Sequence, residues 1–457
     1  MSEPELLIVV LAAGKGTRMK SKRPKVLHHI AGQSMLAHVL QLAATGRNAK
    51  VAVVIGPGMD DVRAEVCKLN SSAQVFVQTN QSGTADAVLA ARDALSDHDG
   101  DVLVLYADTP LITAGTLERL AAELGAGAGV AVLGFEAATP TGYGRLLTDP
   151  HGELFAIREE KDATDEERKI RLCNSGVLAF RTANLLGLLD KIGNDNANGE
   201  YYLTDAIEVA RADGHSTRVV KCAEDEVLGV NTRVQLSQAE AIWQSRARKA
   251  AMLSGVTMLA PETVTLSHDT RFGVDVTIEP NVFFGPGVRV EDDVTIKANC
   301  HLEGADAKSN KGVVLKSGAT IGPFARLRPG AHLEPDVHIG NFVEVKNAII
   351  GQGSKANHLS YIGDATIGSA CNIGAGTIFC NYDGFNKASS TLGDGVFIGS
   401  NSAIVAPTDL GSGAYVAAGS TITQNVSDDA LAIGRARQTE REGWAANFRA
   451  SMNPKKN

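Results

Sequence analysis

Large apolar residues recur every six positions through the second half of the chain, and few folds accept that period. They stand at Ile278, Phe284, Val290, Ile296 and Leu302; at Leu315, Ile321, Leu327, Leu333, Ile339 and Val345; and at Leu392, Ile398, Ile404, Leu410, Val416 and Ile422. Two positions before most of them sits a small or β-branched residue, such as Val276, Val282, Val288, Val294, Ala319, Ala325, Ala331, Val337 or Val343. A helix repeats at about 3.6 residues and a half-buried strand at about 2. A period of six fits one short strand and one turn per repeat, stacked as a parallel β-helix, because no single repeat can bury its apolar side alone. The large residue then points into a narrow prism. Glycine after it, as in Ile321-Gly322, Ile339-Gly340, Ile373-Gly374 and Ile398-Gly399, is expected to supply corners where positive φ is tolerated. The phase slips near Ile350 and Ile367 and is interrupted over Asn381–Ser390. A loop thrown out of a solenoid at one place reads as a binding element.

The first half follows a different rule. Leu6–Leu11, Val51–Ile55 and Val102–Leu105 are continuous apolar runs, as expected of strands buried on both faces of a parallel sheet. Between them Met35–Ala44 and Thr84–Leu95 carry helical spacing. The alternation predicts an α/β doubly wound, Rossmann-like domain over residues 1–233, with a ligand crevice at the carboxyl ends of its strands. Val234–Leu253 contains neither glycine nor proline and predicts a linker helix, within a segment 234–254. Residues 255–457 then form the repeat domain and a tail with Trp444 and Phe448. At 457 residues the chain suits about three ordinary domains. Its 22 aromatic residues against 47 glycines suit a prism core of Ile, Leu and Val.

A net charge of −8, well mixed along the sequence, argues against nucleic-acid or membrane-surface binding, so any anionic ligand must be met by local positive groups. Six cysteines (Cys67, Cys173, Cys222, Cys300, Cys371, Cys380) form no CxxC and no framework, which reads as reduced thiols in a cytosol. Met1–Glu5 is acidic and lacks a basic n-region, and no apolar run approaches the roughly 20 residues that span a bilayer. A cytoplasmic protein is expected.

After the first strand comes Leu11-Ala12-Ala13-Gly14-Lys15-Gly16-Thr17-Arg18-Met19, then Pro24-Lys25. Backbone N–H groups of such a turn can surround phosphate oxygens, with Arg18 and Lys25 supplying charge. No GK[ST] closes it as a P-loop, and Met19 stands where the third glycine of GxGxxG would be. A glycine pair alone is equally a plain strand-to-helix turn. The string LAAGKGTRM with PK downstream resembles the sugar-1-phosphate nucleotidylyltransferases. Joined to a hexapeptide β-helix, it resembles the bacterial family that fuses N-acetylglucosamine-1-phosphate uridylyltransferase to glucosamine-1-phosphate acetyltransferase. The resemblance runs from Leu6 to about Trp444.

That resemblance implies roles position by position. Leu11, Ala12, Ala13, Gly14 and Lys25 match nucleotide and phosphate contacts, and Gln78 with Gly83-Thr84 in QTNQSGTADA matches the uracil-reading segment. Tyr106-Ala107-Asp108 matches the segment whose aspartate holds Mg2+, with Ala107 where glycine is common. Gly144 in TGYGR, Glu159 in REEKD, Asn174 in CNSG and Asn231 in GVN match contacts to the sugar, its acetamido group and the metal, so Asp108 and Asn231 are the implied metal ligands. Two carboxylate or amide oxygens plus substrate phosphates suit magnesium, which usually keeps waters. By spacing alone Asp108 is equally a turn aspartate before Pro110.

On the β-helix, Arg328, Lys346, His358, Tyr361, Asn372, the loop Asn381-Tyr382-Asp383-Gly384 and Lys387 cluster. Three of these are cationic and can hold a phosphate. A lone histidine more often reads as a hydrogen-bonded structural residue. NHLSYIGD and GAGTIFCNYDG, however, resemble the family's acetyltransferase motifs, which implies that His358 is the general base. Arg328, Lys346, Tyr361, Asn372 and Lys387 then match sugar-phosphate contacts, and Ala375, Asn381, Tyr382, Ser400, Ala418 and Arg435 match acetyl-CoA contacts. Small residues suit a pantetheine arm lying along the coils, though they equally suit packing at repeat corners. The resemblance further implies a left-handed coil, a homotrimer with sites between subunits, the co-substrates acetyl-CoA and UTP, and a product feeding peptidoglycan and lipopolysaccharide. Two other readings are a nucleotidylyltransferase whose β-helix serves only assembly, and a metal-dependent β-helix hydratase of the γ-carbonic-anhydrase kind. The second needs three converging histidines, whereas His332 and His338 lie on successive prism faces and His358 is out of their register.

Overall fold

The computed structural model describes residues 6–44, 49–305 and 310–452; the acidic start Met1–Glu5 lies outside them. The chain divides into two compact units between Arg246 and Ala247. That division falls inside the helix Arg233–Leu253.

In the first unit the main path of the large sheet runs Thr217–Cys222, Val130–Glu136, Leu172–Arg181, Asp101–Tyr106, Leu6–Leu11, Ala49–Ile55, Gln74–Val77. Leu6–Leu11 is buried throughout because its alternate residues feed two cores. Leu6, Ile8 and Val10 pack with Leu36, Val39 and Leu40 of helix Met35–Ala44, whereas Leu7 and Val9 pack with Ala85, Val88, Leu185 and Leu188 on the other face. Each such fully buried side chain contributes about 1.5–3 kcal/mol. The doubly wound expectation holds, but the sheet is not wholly parallel. Leu172–Arg181 runs antiparallel to both neighbours. The segment before it makes a β-hairpin, Arg145–Thr148 with Leu154–Arg158, instead of a crossover helix, so the chain re-enters the sheet reversed.

The second unit is three parallel ladders forming the sides of a left-handed β-helix prism. All seventeen large positions of the six-residue period are buried, none more than 5 % exposed. Ladder partners lie 18 residues apart in a regular coil, as for Leu315 with Leu333 and Ile321 with Ile339. The phase slip is a coil shortened by one residue: Leu333 pairs with Ile350 and Ile350 with Ile367. The Asn381–Ser390 excursion lengthens another coil, so Ile373 pairs with Ile398.

The corner glycines need a correction. Gly322 does carry positive φ, at 89°, but Gly340, Gly374 and Gly399 do not; a Cβ on those three would lie 2.0 Å from Asn357 O, 2.5 Å from Ile398 O and 2.4 Å from Ala418 N respectively. They permit stacking of backbone on backbone. The left-handed corner falls two residues further on, at Asn281, Asn299, Phe342, Leu359, Gly376, Asn401 and Gly419. Asn and Gly accept that conformation readily, whereas Phe342, Leu359 and the nearby Phe324 do so at a cost and remain half exposed or more. Replacing one prism residue should be expensive: Ile339→Ala is expected to destabilise the second unit by about 2–5 kcal/mol, read from urea denaturation.

Candidate functional site

A cleft of about 600 Å³ opens at the carboxyl ends of Leu6–Leu11 and Asp101–Tyr106, lined by Leu11–Gly14, Lys15, Lys25, Gln78, Gly83, Thr84, Tyr106 and Asp108. Arg18 is exposed on its one-turn helix and is not part of this lining; Lys15 is. Gly16, at φ 60°, lets the two basic segments meet, since a Cβ there would lie 2.5 Å from Lys25 Cβ. Lys25 Nζ donates to Asp108 Oδ2 at 2.5 Å and to Asn231 Oδ1 at 3.0 Å. Two oxygens from residues 83 and 206 positions away thus converge on one buried ammonium. Among the described residues no cluster of three or more His, Cys, Asp or Glu could hold a metal. The donor set that does fit one is this carboxylate and amide pair, which suits an oxygen-preferring ion that also keeps waters and substrate oxygens.

Gln78 Nε2 is committed to Gly83 O at 2.9 Å and Asp86 Oδ2 at 2.8 Å, so its amide is fixed in orientation. Gly83 has φ 131°, and a Cβ there would lie 2.4 Å from Tyr201 O. Ala107 is fully buried and donates to Leu11 O at 3.0 Å; its methyl packs in the core. Burial and the charge of Asp108 push the Tyr106 phenol well above its ordinary value, so it is a neutral donor.

An adjoining cleft shares Thr84, Tyr106 and Asp108 and adds Gly142–Gly144, Glu159–Lys161, Asn174, Thr204 and Asn231. Asn174 sits at the register shift of its strand; its N–H donates to Gly144 O at 2.8 Å and its Oδ1 accepts from Gly176 N at 2.9 Å. Burial raises the Glu159 carboxyl, partly offset by the Thr204 hydroxyl, which donates to it at 3.4 Å. Thr204 carries no signal in the sequence that would have singled it out.

On the β-helix, backbone bonds connect one corner through successive coils: Leu359 N to Asn341 O, Gly376 N to His358 O, Asn401 N to Ala375 O and Gly419 N to Ser400 O. His358 therefore heads an edge whose following members are Ala375, Ser400 and, beside Gly419, Ala418. The Arg435 Cδ lies 3.9 Å from the position of a Gly419 Cβ. His358 Nδ1–H donates to Asn341 Oδ1 at 2.9 Å, which leaves Nε2 as the nitrogen available to accept a proton. Asn341 was not singled out from sequence. The signal was its place seventeen residues before His358, one shortened coil away.

A second cluster forms at the far end of strand Tyr361–Gly363. Asp364 accepts from Lys346 Nζ at 3.0 Å, from Asn347 Nδ2 at 2.7 Å and from Asn381 Nδ2. Burial alone would raise its carboxyl, but these donors outweigh it and hold it below the ordinary range. Gly363 makes room: a Cβ there would lie 2.4 Å from Tyr361 Oη and 2.9 Å from Asn381 Nδ2. Arg328 is one coil away, donating to Glu344 at 2.9 Å. The Asn381–Ser390 loop is an ordered hairpin, with Tyr382 bridged to Lys387 and Asp383 Oδ1 accepting from Phe385 N and Asn386 N. Asn372 is not brought to this cluster. It lies on the ladder His338–Lys355–Asn372, a different prism face from Glu344–Tyr361. His332 and His338 likewise occupy different ladders, and His338 pairs with Lys355, so among the described residues no three histidines converge.

Cleft and prism together define a nucleotidyltransferase unit joined to a hexapeptide transferase unit. The MobA-like NTP transferase domain family matches residues 8–170, and the bacterial transferase hexapeptide (six repeats) matches residues 389–424. The bifunctional protein GlmU of Azorhizobium caulinodans is 59 % identical over 451 residues, 99 % of each chain, and that of Xanthobacter autotrophicus 58 % over 456 residues, 100 % of each. The GlmU of Sphingopyxis alaskensis is 49 % identical over 458 residues. The chain belongs to the GlmU family of bifunctional proteins.

One acid of the first unit gives a pH signature. Burial lifts Asp205 to about 6, with Glu208 adding to it. A carboxyl raised in the folded state favours its protonated form there, so its contribution to stability is lost as pH rises through about 4 to 6. Asp205→Asn is expected to raise the thermal midpoint at about pH 7.5 and to match the parent chain below about pH 4, measured by circular dichroism.

Proposed function

We propose that this enzyme acetylates glucosamine-1-phosphate in its β-helix unit and then uridylylates the product in its α/β unit, releasing UDP-N-acetylglucosamine and pyrophosphate. The observation that carries the reading is the pair of separate, chemically different sites: a cation held between Asp108 and Asn231 in one unit, and a histidine with an oriented tautomer above a small-residue edge in the other.

In the β-helix, His358 Nε2 takes the proton of the sugar 2-amino group as that nitrogen attacks the thioester carbonyl of acetyl-CoA. The C–N bond forms, the C–S bond breaks and the coenzyme leaves as its thiol. Asn341 holds the imidazole in the tautomer this requires. Ala375, Ser400 and Ala418 leave the edge low enough for a pantetheine arm, with Arg435 at its margin. Lys346, Arg328 and Lys387 supply positive charge for the sugar phosphate and Tyr361 a polar contact, while Asn381 and Tyr382 contact acetyl-CoA. Asn372 stands on another face, so one chain does not assemble the whole set; this, with the half-exposed apolar corner Phe324, Phe342 and Leu359, supports a homotrimer whose sites form between copies.

In the α/β unit, an oxygen of the sugar 1-phosphate attacks the α-phosphorus of UTP and pyrophosphate departs. The Leu11–Gly14 backbone cradles phosphate, the fixed Gln78 amide reads the base, and Gly144, Glu159 and Asn174 face the sugar. Asp108 and Asn231 would hold Mg2+, which neutralises phosphate charge when bound. Lys25 then turns its ammonium toward the phosphates. We place the enzyme in the cytoplasm. No described helix is long and apolar enough to cross a membrane, and the six cysteines are free thiols.

Incubation with glucosamine-1-phosphate, acetyl-CoA, UTP and magnesium, omitting each in turn, should give UDP-N-acetylglucosamine only from the complete mixture. His358→Ala is expected to lower acetyl transfer by about 10²–10⁴-fold and to spare uridylyl transfer; Asp108→Ala should do the reverse. Loss of both activities in either variant would count against two independent sites. Sedimentation equilibrium should show a species of three 47.9 kDa chains.

A further inference from the structure

Arg145 is 1 % exposed, the largest of the fully buried side chains. Burying a guanidinium is costly unless its charge is paired; here Nε has no hydrogen-bond partner and the two terminal nitrogens carry all the contacts. Its Nη1 donates to Tyr143 O, and its Nη2 donates to Glu160 Oε2 at 2.7 Å and to Arg168 O at 3.2 Å. Glu160 Oε2 in turn accepts from Gly142 N at 3.2 Å. Three separate stretches of chain therefore end on one buried cation.

Strand pairing does not need that side chain. Backbone ladders already hold residue 145 against Arg158 and Cys173. What the guanidinium adds lies just beyond the strand: it ties the turn carrying Gly142 and Tyr143 to the segment carrying Glu160. Those are the two walls of the cleft assigned to the sugar, and they nearly touch, since a Cβ on Gly144 would lie 3.3 Å from Glu159 Oε1. A planar donor whose two terminal nitrogens hold different partners can fix both spacing and angle between two loops, which a lysine's single ammonium cannot.

We propose that Arg145 is a positioning residue that sets the width of the sugar subsite in the uridylyl-transfer reaction, acting through Tyr143 O and Glu160 without touching substrate. The inference rests on the placement of the sugar beside Gly144, Glu159 and Asn174. It predicts a selective defect. Arg145→Met should raise KM for N-acetylglucosamine-1-phosphate by about tenfold or more while KM for UTP stays within about twofold, because the nucleotide cradle lies on other segments. Arg145→Lys should fall between parent and Arg145→Met. Glu160→Gln, which keeps an oxygen for Gly142 N–H but removes the ion pair, should move the same constant in the same direction by less. Acetyl transfer, carried by the other unit, should not change.

Steady-state kinetics with each substrate varied decides the matter. A rise in both KM values together, or an unchanged sugar-phosphate KM in Arg145→Lys and Glu160→Gln, overturns the proposal; those two variants also carry the test if Arg145→Met does not fold. Glu159→Gln separates this from failure of the underlying reading. If it leaves the sugar-phosphate KM untouched, the sugar does not sit in this cleft, whatever Arg145 does.

Discussion

Coil register is the constraint on which the second unit depends. Each coil must return its three apolar residues to the same three ladders, or a strand loses both its hydrogen bonds and its place in the prism. The chain meets this even where coil length changes. Removing one residue before Ile350 still leaves Ile350 and Ile367 buried and in register, and the Asn381–Ser390 excursion still returns Leu392 to its ladder beside Ile367. Two of the departures in coil length, besides the 25-residue step from Leu302 to Leu327, fall at the proposed acetyl-transfer site. The short coils bring Asn341 directly above His358, and the long one throws out the hairpin that carries Tyr382 and Lys387.

The first unit depends on a comparable economy. Leu6–Leu11 is covered on both faces, and at its carboxyl end the backbone continues into the Gly14 turn. The neighbouring strand Asp101–Tyr106 ends level with it and delivers Asp108 to the same place. The reversed strand Leu172–Arg181 adds what a wholly parallel sheet would not. Its register shift after Asn174 turns that side chain and the Gly144 turn toward the cleft.

How much of this was legible follows from whether the signal was local. The six-residue period and the apolar runs are local, and they locate the prism core residue by residue. The reversed strand was missed because a buried run does not encode direction; that is set by the hairpin before it. Gly322 follows the expected rule, but Gly340, Gly374 and Gly399 were noticed for the wrong reason, since a steric contact with the next coil lies a whole coil away in sequence and leaves no mark on the glycine itself. Lys25 was legible as a cation near a phosphate turn, but its partners at 108 and 231 were connected only through a family resemblance. Arg18, equally prominent in the motif, lies outside the lining because the one-turn helix Thr17–Met19 buries Met19 and exposes its neighbour.

The charge arrangement of both units answers the question posed by an acidic protein that binds anions. The part-buried cations of both sites are paired, while Lys15 and Lys387 stand exposed. Lys25 is held by Asp108, Lys346 by Asp364 and Arg328 by Glu344, each pair wholly or partly withdrawn from water. An unpaired cation at such depth would be costly, and a carboxylate removes that cost while no ligand is present. When a phosphate arrives, the cation has a second anion within reach, and the carboxylate needs another positive partner. In the α/β unit that partner is the proposed metal, so metal and nucleotide phosphate should favour each other's binding. In the β-helix no metal is called for, because Asp364 keeps the Asn347 and Asn381 amides as donors when Lys346 turns away. The difference in donor supply around two otherwise similar lysine–aspartate pairs is a physical reason to assign the proposed divalent ion to the α/β half and not to the β-helix.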